Sequence, residues 1–118
     1  MDRPRVDKYL PLTPTVFDIL LALADSEKHG YAILQAVHTS AGGSAVLRAG
    51  TLYRALNRLL GQDLVEECAR RPAASLDDER RRYYRITPLG RRVLKAELER
   101  LQQQILEARA KNLFPERS

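Results

Sequence analysis

The sequence predicts a mainly α-helical protein with one small β-hairpin. Apolar residues recur at helical spacing in four segments, whereas the stretch between the third and fourth segments alternates as extended strands do. Two Thr-Pro pairs, at residues 13–14 and 87–88, mark helix starts, because threonine caps free backbone N–H groups and proline suits the first helical position. The chain has 118 residues, which is enough for one domain with a real core.

The composition favours a soluble globular protein and argues against a metal site. Apolar residues make up 44% and charged residues 30% of the chain, as in an ordinary folded domain. Cys68 is the single cysteine, so an intrachain disulfide is excluded, and with only His29 and His38 beside it there is no set of metal ligands. Both histidines are expected to be exposed or to cap a helix. No apolar run approaches the ~20 residues that span a membrane, so the expected compartment is the cytoplasm.

The segments before residue 45 are predicted to be a loose arm and two helices. Residues 1–10 are charged and contain Pro4, which favours an irregular arm. One helix begins at Pro14 and ends between residues 25 and 28. Another runs from residue 29 or 30 to residue 40, where Gly42 and Gly43 stop it.

Residues 48–60 carry a packing pattern and a binding pattern at once. The packing stripe recurs at helical spacing in Leu52, Ala55, Leu56, Leu59 and Leu60. Thr51, Arg54 and Arg58 share a different face. Residues 45–62 contain three arginines and no acidic residue, although the chain has fifteen acids and a net charge of +5. An unpaired cationic helix face fits a polyanion; an ordinary amphipathic helix with a solvated face is the alternative.

Residues 64–71 and 80–87 are predicted to pair as antiparallel strands, with residues 72–79 as the connecting loop. Five arginines bracket this loop, and they are Arg70, Arg71, Arg80, Arg81 and Arg82. Acidic residues at positions 77–79 neutralise part of that charge. The alternative is a charged loop with internal ion pairs and no function.

The last helix is predicted over residues 88–112, with Gly90 as a tolerated weak spot. Its apolar residues are spaced 4, 3, 4 and 3, which is a heptad seam over about two repeats. The seam consists of Leu94, Leu98, Leu101, Ile105 and Ala108. So narrow a stripe predicts a dimer interface; packing back on its own domain is the alternative.

The order of two helices, a basic helix and a hairpin is that of a winged helix-turn-helix, in which the third helix enters the major groove of DNA. The predicted division is an arm over residues 1–10, the winged helix-turn-helix over residues 11–87, a dimerisation helix over residues 88–112 and a tail over residues 113–118.

Three motifs in this order also resemble the PadR-type transcriptional regulators. They are His-Gly-Tyr at residues 29–31, Gly-Thr-Leu-Tyr-Arg-Ala-Leu-Asn-Arg-Leu at residues 50–59, and Arg-Tyr-Tyr-Arg-Ile-Thr-Pro-Leu-Gly at residues 82–90. The resemblance implies a bacterial or archaeal homodimer, usually a repressor, whose single C-terminal helix builds the dimer. The longish acidic tip of the wing departs from the family, so wing contacts are not carried over residue by residue.

The expected DNA contacts follow from residue chemistry. Gly50 and Thr51 bring backbone N–H groups and a hydroxyl to a phosphate at the start of the basic helix. Arg54, Asn57 and Arg58 are expected to read or approach base edges, since arginine forks to guanine and asparagine to adenine in the major groove.

Other residues are expected to contact the DNA backbone. Arg48 and the five wing arginines would neutralise phosphates and supply affinity rather than sequence choice. Tyr53 can donate its hydroxyl to the backbone, and the resemblance implies that it approaches DNA. Tyr31 is a further backbone contact; its alternative role is that of a packing aromatic.

An enzyme has little support, because the sequence contains no paired-carboxylate site, no Gly-rich phosphate loop and no nucleophile with a plausible histidine base. We expect no cofactor and no metal. The competing function is a winged-helix module for protein–protein or RNA contact. No small-molecule effector can be named: relatives sense small aromatics or drugs near the dimer interface, but aromatic residues are 6% of this chain and Trp is absent.

Overall fold

The computed structural model describes residues 3–43, 46–68 and 82–114, with the side chains of residues 3 and 4 excepted. Within these residues five helices and three strands follow one another. In chain order they are α1 (Arg3–Asp7), α2 (Pro14–Ala22), β1 (Lys28–His29), α3 (Gly30–Thr39), α4 (Ala49–Gly61), β2 (Val65–Cys68), β3 (Tyr83–Ile86) and α5 (Pro88–Ala110). The fold is therefore mainly helical with a small antiparallel sheet, as predicted.

Both Thr-Pro pairs start helices. The Thr13 hydroxyl accepts the Val16 N–H at 3.3 Å, and the Thr87 hydroxyl accepts the Gly90 N–H at 2.9 Å. Each following proline occupies the first turn, where a missing N–H costs nothing. These local devices lie wholly in adjacent residues, which is why the sequence predicts them well.

α2 ends at Ala22, earlier than the predicted end between residues 25 and 28. The ammonium of Lys28 donates to the Ala22 carbonyl oxygen at 2.7 Å and to the Asp25 carboxylate at 2.8 Å. A cation at the last carbonyls satisfies groups that another helical turn would otherwise bond, so the chain turns and leads into β1.

The core lies between α2, α3, α4 and α5. Its largest fully buried side chains come from all four helices, from the residue after α2, from β2 and from the residue before β2. They are Ile19, Leu20, Leu23, Ile33, Val37, Leu52, Leu56, Leu59, Leu64, Val65 and Val93. The packing stripe predicted for α4 is confirmed: its three inner leucines are fully buried, and Ala55 and Leu60 pack against the core.

The sheet has the order β1-β3-β2. β2 and β3 pair antiparallel with Val65 opposite Ile86 and Cys68 opposite Tyr83, which is the predicted hairpin. The sequence missed β1, whose two residues pair with the other edge of β3. The predicted outer strand residues, the loop over residues 72–79 and Arg70, Arg71, Arg80 and Arg81 lie outside the described residues.

The N-terminal segment differs from the predicted loose arm. Residues Arg3–Asp7 form α1, which packs against α5, and Val6 is only 3% exposed. Tyr9 and Leu10 also pack against the core. The expectation of an irregular arm over residues 1–10 is therefore wrong for this part, because burial of its few apolar side chains outweighs its high charge.

Glu97 of α5 joins the N-terminal segment to the last helix. Its side chain is 2% exposed and accepts the Leu12 N–H at 3.1 Å. Arg100 donates to the same carboxylate at 2.7 and 2.9 Å. The hydrogen bond from Arg100 lowers the pKa of Glu97, and this effect is larger than that of burial, which raises the pKa. A buried charge is thus paired and hydrogen-bonded.

The connection from β3 into α5 is also bonded to the end of α4. Thr87 donates its hydroxyl to the Asp63 carbonyl at 2.6 Å and its N–H to the Leu64 carbonyl at 3.1 Å. A Cβ at Gly90 would collide with the Leu64 carbonyl oxygen. Gly90 is therefore a required close approach, not the weak spot that the sequence suggested.

Candidate nucleic-acid interface

The outer face of α4 is solvent-exposed along its whole length. Every residue predicted to contact DNA from this segment is exposed, namely Arg48, Gly50, Thr51, Tyr53, Arg54, Asn57 and Arg58. Arg48 is the N-cap residue and makes no side-chain cap bond. The leucines on the opposite face are in the core, so the helix is held with its polar side outward.

Arg54 lies at the centre of this outer face. Its Nη2 is 3.4 Å from the Thr51 hydroxyl oxygen, and its Nη1 lies 3.8 Å from the position of a Cβ on Gly50. In the described part of the chain, no carboxylate forms an ion pair with Arg54 or Arg58. These guanidinium groups are therefore available to an anion.

An aromatic cluster flanks α4 on the side of α3. Tyr53 packs on Gly30. The Tyr31 ring, 64% exposed, stacks on His29 with centroids 6.4 Å apart, and His29 meets the edge of Tyr83 at 5.5 Å. Tyr31 thus faces solvent, as a backbone contact requires, while one face of its ring packs on His29.

The sequence missed this cluster as a unit. Its members come from β1, α3, α4 and β3, and their contact depends on the tertiary fold. The only available signal was the His-Gly-Tyr and Tyr-Tyr pairs within the motifs that resemble the family. Burial, followed by smaller effects of Glu67 and Tyr53, raises the pKa of the neighbouring Tyr84 phenol.

His29 caps a helix, as the sequence predicts, whereas His38 is half-buried and is neither exposed nor a cap. His29 is the N-cap of α3, and its Nδ1 accepts the Ala32 N–H at 3.2 Å. The Nε2 of His38 lies 2.8 Å from the Leu47 carbonyl oxygen, which ties the end of α3 to the residue before the N-cap of α4. His38 therefore helps to fix where the outer face of α4 begins.

On the wing, described arginines are paired across strands. Arg82 contacts Glu67 at 3.3 Å, and Arg85 contacts Glu66 at 2.7 Å. Exposed pairs of this kind contribute about 0–1 kcal/mol, so Arg82 can exchange Glu67 for a phosphate at little cost. The sequence did not assign any role to Arg85.

A groove separates the first turn of α2 from α4. We call it the α2–α4 groove; its polar lining is Thr13, Thr15, Thr51, Arg54 and Arg58, and its volume is about 220 Å³. The threonines of α2 could not be placed beside the arginines of α4 from the sequence, since the two segments are far apart in the chain.

α5 leaves apolar side chains exposed beyond the core. Leu98 is 41% and Ile105 43% exposed, and Leu101 and Ala108 of the predicted seam are partly exposed. Leu94 differs, because it is buried in the core of its own chain. Its assignment to the dimer seam is therefore wrong: the first turns of α5 pack back on the domain, and the outward-facing seam begins at Leu98.

Neither a metal site nor a reactive thiol is present in the described residues. No three His, Cys, Asp or Glu side chains among them gather around a common point. Burial, followed by Glu27, raises the pKa of the Cys68 thiol, which is opposite to what a nucleophilic thiolate needs. No helix within the same residues is long and apolar enough to cross a membrane.

Comparison with solved structures shows the same architecture in several regulators. A PadR family transcription regulator from Clostridium difficile R20291 is similar at 24% identity, over 86% of this chain and 100% of that chain, with a TM-score of 0.68. One from Eggerthella lenta DSM 2243 shares 26% identity over 96% and 88% of the two chains, with a TM-score of 0.60. A PadR-like regulator from Bacillus cereus ATCC 14579 shares 19% identity over 97% and 99%, with a TM-score of 0.65.

The family model described as the transcriptional regulator PadR-like family matches residues 19–96. No curated protein matches the sequence. The matched residues run from α2 to the middle of α5 and include the entire outer face of α4. Members of this family are transcription regulators and not enzymes, which agrees with the sequence-based expectation. The chain therefore belongs to the PadR-like family and is a DNA-binding transcription regulator.

Proposed function

We propose that this protein represses transcription as a homodimer that binds an inverted-repeat operator in double-stranded DNA. The observation that carries the proposal is the outer face of α4, where exposed arginines lie on a helix anchored in the core by its opposite face and have no carboxylate partner among the residues that the structure describes. A helix held in this way fits the major groove, which is about 12 Å wide.

Within that interface, Arg54 and Asn57 read base edges. Arg54 occupies the centre of the outer face, and Asn57 lies one turn beyond Tyr53 on the side of α3. Arginine can form two hydrogen bonds to guanine, and asparagine can form two to adenine. The two residues together therefore distinguish at least two base pairs in each half-site.

The surrounding groups bind the backbone. Gly50 and Thr51 present the first turn of α4 to a phosphate. Arg48, Tyr31 and Tyr53 are exposed around the same end of the interface, and Arg82 lies on the wing. Arg70, Arg71, Arg80 and Arg81 supply further charge from the wing, a role that rests on the sequence alone. Such contacts give affinity and register but little sequence choice.

The homodimer forms through the seam of Leu98, Leu101, Ile105 and Ala108 on α5. Exposed apolar side chains on one helical stripe are stabilised when a second copy covers them. A dimer with a two-fold axis binds two half-sites whose centres lie about one helical turn, or a multiple of it, apart. We propose that the protein binds DNA in the cytoplasm.

Selection of bound sequences from a random duplex pool tests the proposal. The expected product is a sequence with dyad symmetry, bound as a duplex far more tightly than either of its single strands or the corresponding RNA. A pool without dyad symmetry would count against the dimeric operator. Preference for RNA, or no nucleic-acid binding at all, would instead favour the winged-helix interaction module. A reporter that carries the selected sequence over its promoter then distinguishes repression from activation.

A further inference from the structure

We propose that the α2–α4 groove binds one phosphodiester of the DNA backbone and that Arg58 is the cation of this site. Arg58 then anchors the backbone instead of reading a base edge, as its place in the sequence had suggested. The inference rests on the DNA-binding function proposed above and assigns a new role to α2.

The placement of side chains around α4 separates Arg58 from the base readers. Arg58 follows Thr51 by seven residues, so the two lie on one line along the helix, and both line the groove facing α2. Tyr53 lies on the opposite flank against Gly30 of α3. Arg54 stands between the flanks, so that its side chain borders both the groove and the centre of the outer face. The outer face of α4 therefore has a centre and two edges, and Arg58 is on an edge.

The chemistry of the groove matches a phosphodiester. Its polar side chains are two guanidinium groups and three hydroxyls, all of which can donate hydrogen bonds, and its other lining residues are Val16 and Ala55. No carboxylate is among these lining residues. A phosphodiester carries one negative charge and only accepts hydrogen bonds, so each polar group of the groove can serve it.

Side chains supply the charge of this site, because three of the first four residues of α2 offer no free backbone N–H. Pro14 has no N–H, the Val16 N–H is bonded to the Thr13 hydroxyl, and the Phe17 N–H is bonded to the Thr13 carbonyl. The Thr13 hydroxyl accepts the Val16 N–H as a cap and can still donate its own proton, so it joins Thr15 and Thr51 as a hydroxyl donor beside Arg58. The groove has a volume of about 220 Å³ and is open to solvent, so a phosphate group can enter it.

The first test compares Arg58→Ala with Arg54→Ala on the duplex selected from the random pool and on a scrambled duplex. Arg58→Ala should weaken both by the same factor, about tenfold to hundredfold. It should also flatten the slope of log affinity against log salt by about 0.9 per protomer. Arg58→Lys, which keeps the charge, should retain the slope. Arg92→Ala removes the same charge from the exposed side of α5 and should change neither quantity.

The second test locates the phosphate. Uncharged methylphosphonate linkages are placed one at a time along the selected duplex, and binding is measured for the parent protein, Arg58→Ala and Thr15→Val. One linkage per half-site should weaken the parent protein but leave Arg58→Ala unaffected, and Thr15→Val should show a reduced response there. Circular dichroism first establishes that each variant is folded.

Two results would overturn the inference while leaving the proposed function in place. One is loss of affinity in Arg58→Ala on the selected duplex alone, which is the behaviour of a base reader. The other is a pattern of methylphosphonate sensitivity that is the same with and without Arg58. If the parent protein binds neither duplex, the proposed function fails together with the groove.

Discussion

Tyr53 of α4 packs directly on the Cα of Gly30, the first residue of α3. A Cβ on Gly30 would lie 2.6 Å from Cζ of the Tyr53 ring, closer than non-bonded atoms approach. Gly30 is buried, whereas Tyr53 is partly exposed on the outer face of α4. The absence of a side chain at one residue therefore sets the orientation of an exposed phenol on another helix.

Gly30→Ala should consequently lower the free energy of unfolding by about 1–3 kcal/mol, because the tyrosine or the helix must move to make room. Gly61→Ala is a matched control at the end of the adjacent helix, since a Cβ there meets nothing within 4 Å. It should raise stability by up to about 1 kcal/mol through helix propensity. Urea unfolding measures both. Equal effects of the two substitutions would show that the packing on Tyr53 is not tight.

Glu97→Gln should reduce stability at neutral pH and change its acid dependence. Arg100 lowers the pKa of Glu97 below its usual 4.5, so the unfolded chain binds a proton more readily than the folded one. The stabilisation is complete above about pH 5 and is lost as the pH falls through the folded pKa. Gln keeps an acceptor for the Leu12 N–H but loses the charge, at a cost of about 1–3 kcal/mol at pH 7.

The acid limb of unfolding should therefore be flatter in Glu97→Gln than in the parent protein, as measured by urea titrations from about pH 7 to pH 3. Glu107→Gln is the control, because that residue forms an exposed pair with Lys111 at 3.2 Å and should change stability by less than about 1 kcal/mol. An unchanged acid limb in Glu97→Gln would contradict the assigned role of the buried pair.

Leu98→Glu combined with Leu101→Glu should convert the dimer to a monomer, because two charges would have to be buried at the centre of the seam. Light scattering at micromolar concentration should show twice the 13.4 kDa chain mass for the parent protein and the single mass for the variant. Gln103→Glu with Ala110→Glu adds the same two charges on the opposite face of α5 and should leave the dimer intact. A dimer that survives the first pair would place the interface elsewhere.

Arg54→Ala should relax sequence specificity. Loss of one base-edge contact should weaken binding to the selected operator by about 1–3 kcal/mol and binding to random duplex very little. Arg80→Ala with Arg81→Ala should instead weaken both duplexes together and flatten the salt dependence, because the role proposed for these arginines is to neutralise phosphates. Salt titrations of both variants on both duplexes decide this. The reverse pattern would exchange the roles of α4 and the wing.

The parts of this fold that the sequence predicts are those specified by neighbouring residues. The caps at Thr13 and Thr87, the leucine stripe of α4 and the β2–β3 hairpin each depend on residues a few positions apart. These local patterns are enough to predict the order of the helices, the basic outer face of α4 and the resemblance to the family. The leucine stripe also predicts which residues of α4 face outward, because burying the leucines fixes the rotation of the helix about its axis.

The parts that the sequence missed depend on contacts between distant residues. β1 has only two residues and exists because β3 offers a free edge, and α1 exists because α5 covers Val6. Leu94 satisfied the heptad spacing but lies where α5 still touches its own domain. Spacing alone cannot distinguish a seam that faces a second copy from one that faces the core.

Thr87, Asp63, Leu64 and Gly90 form a joint of hydrogen bonds and close contacts. This joint holds α5 in a defined position relative to α4. A residue inserted into this joint would displace the hydroxyl from the Asp63 carbonyl or drive a side chain into the Leu64 carbonyl. Length changes should therefore be excluded from this joint, because a longer connection would rotate α5 against α4. A joint of this kind keeps the direction of α5, and with it the proposed seam, constant relative to α4.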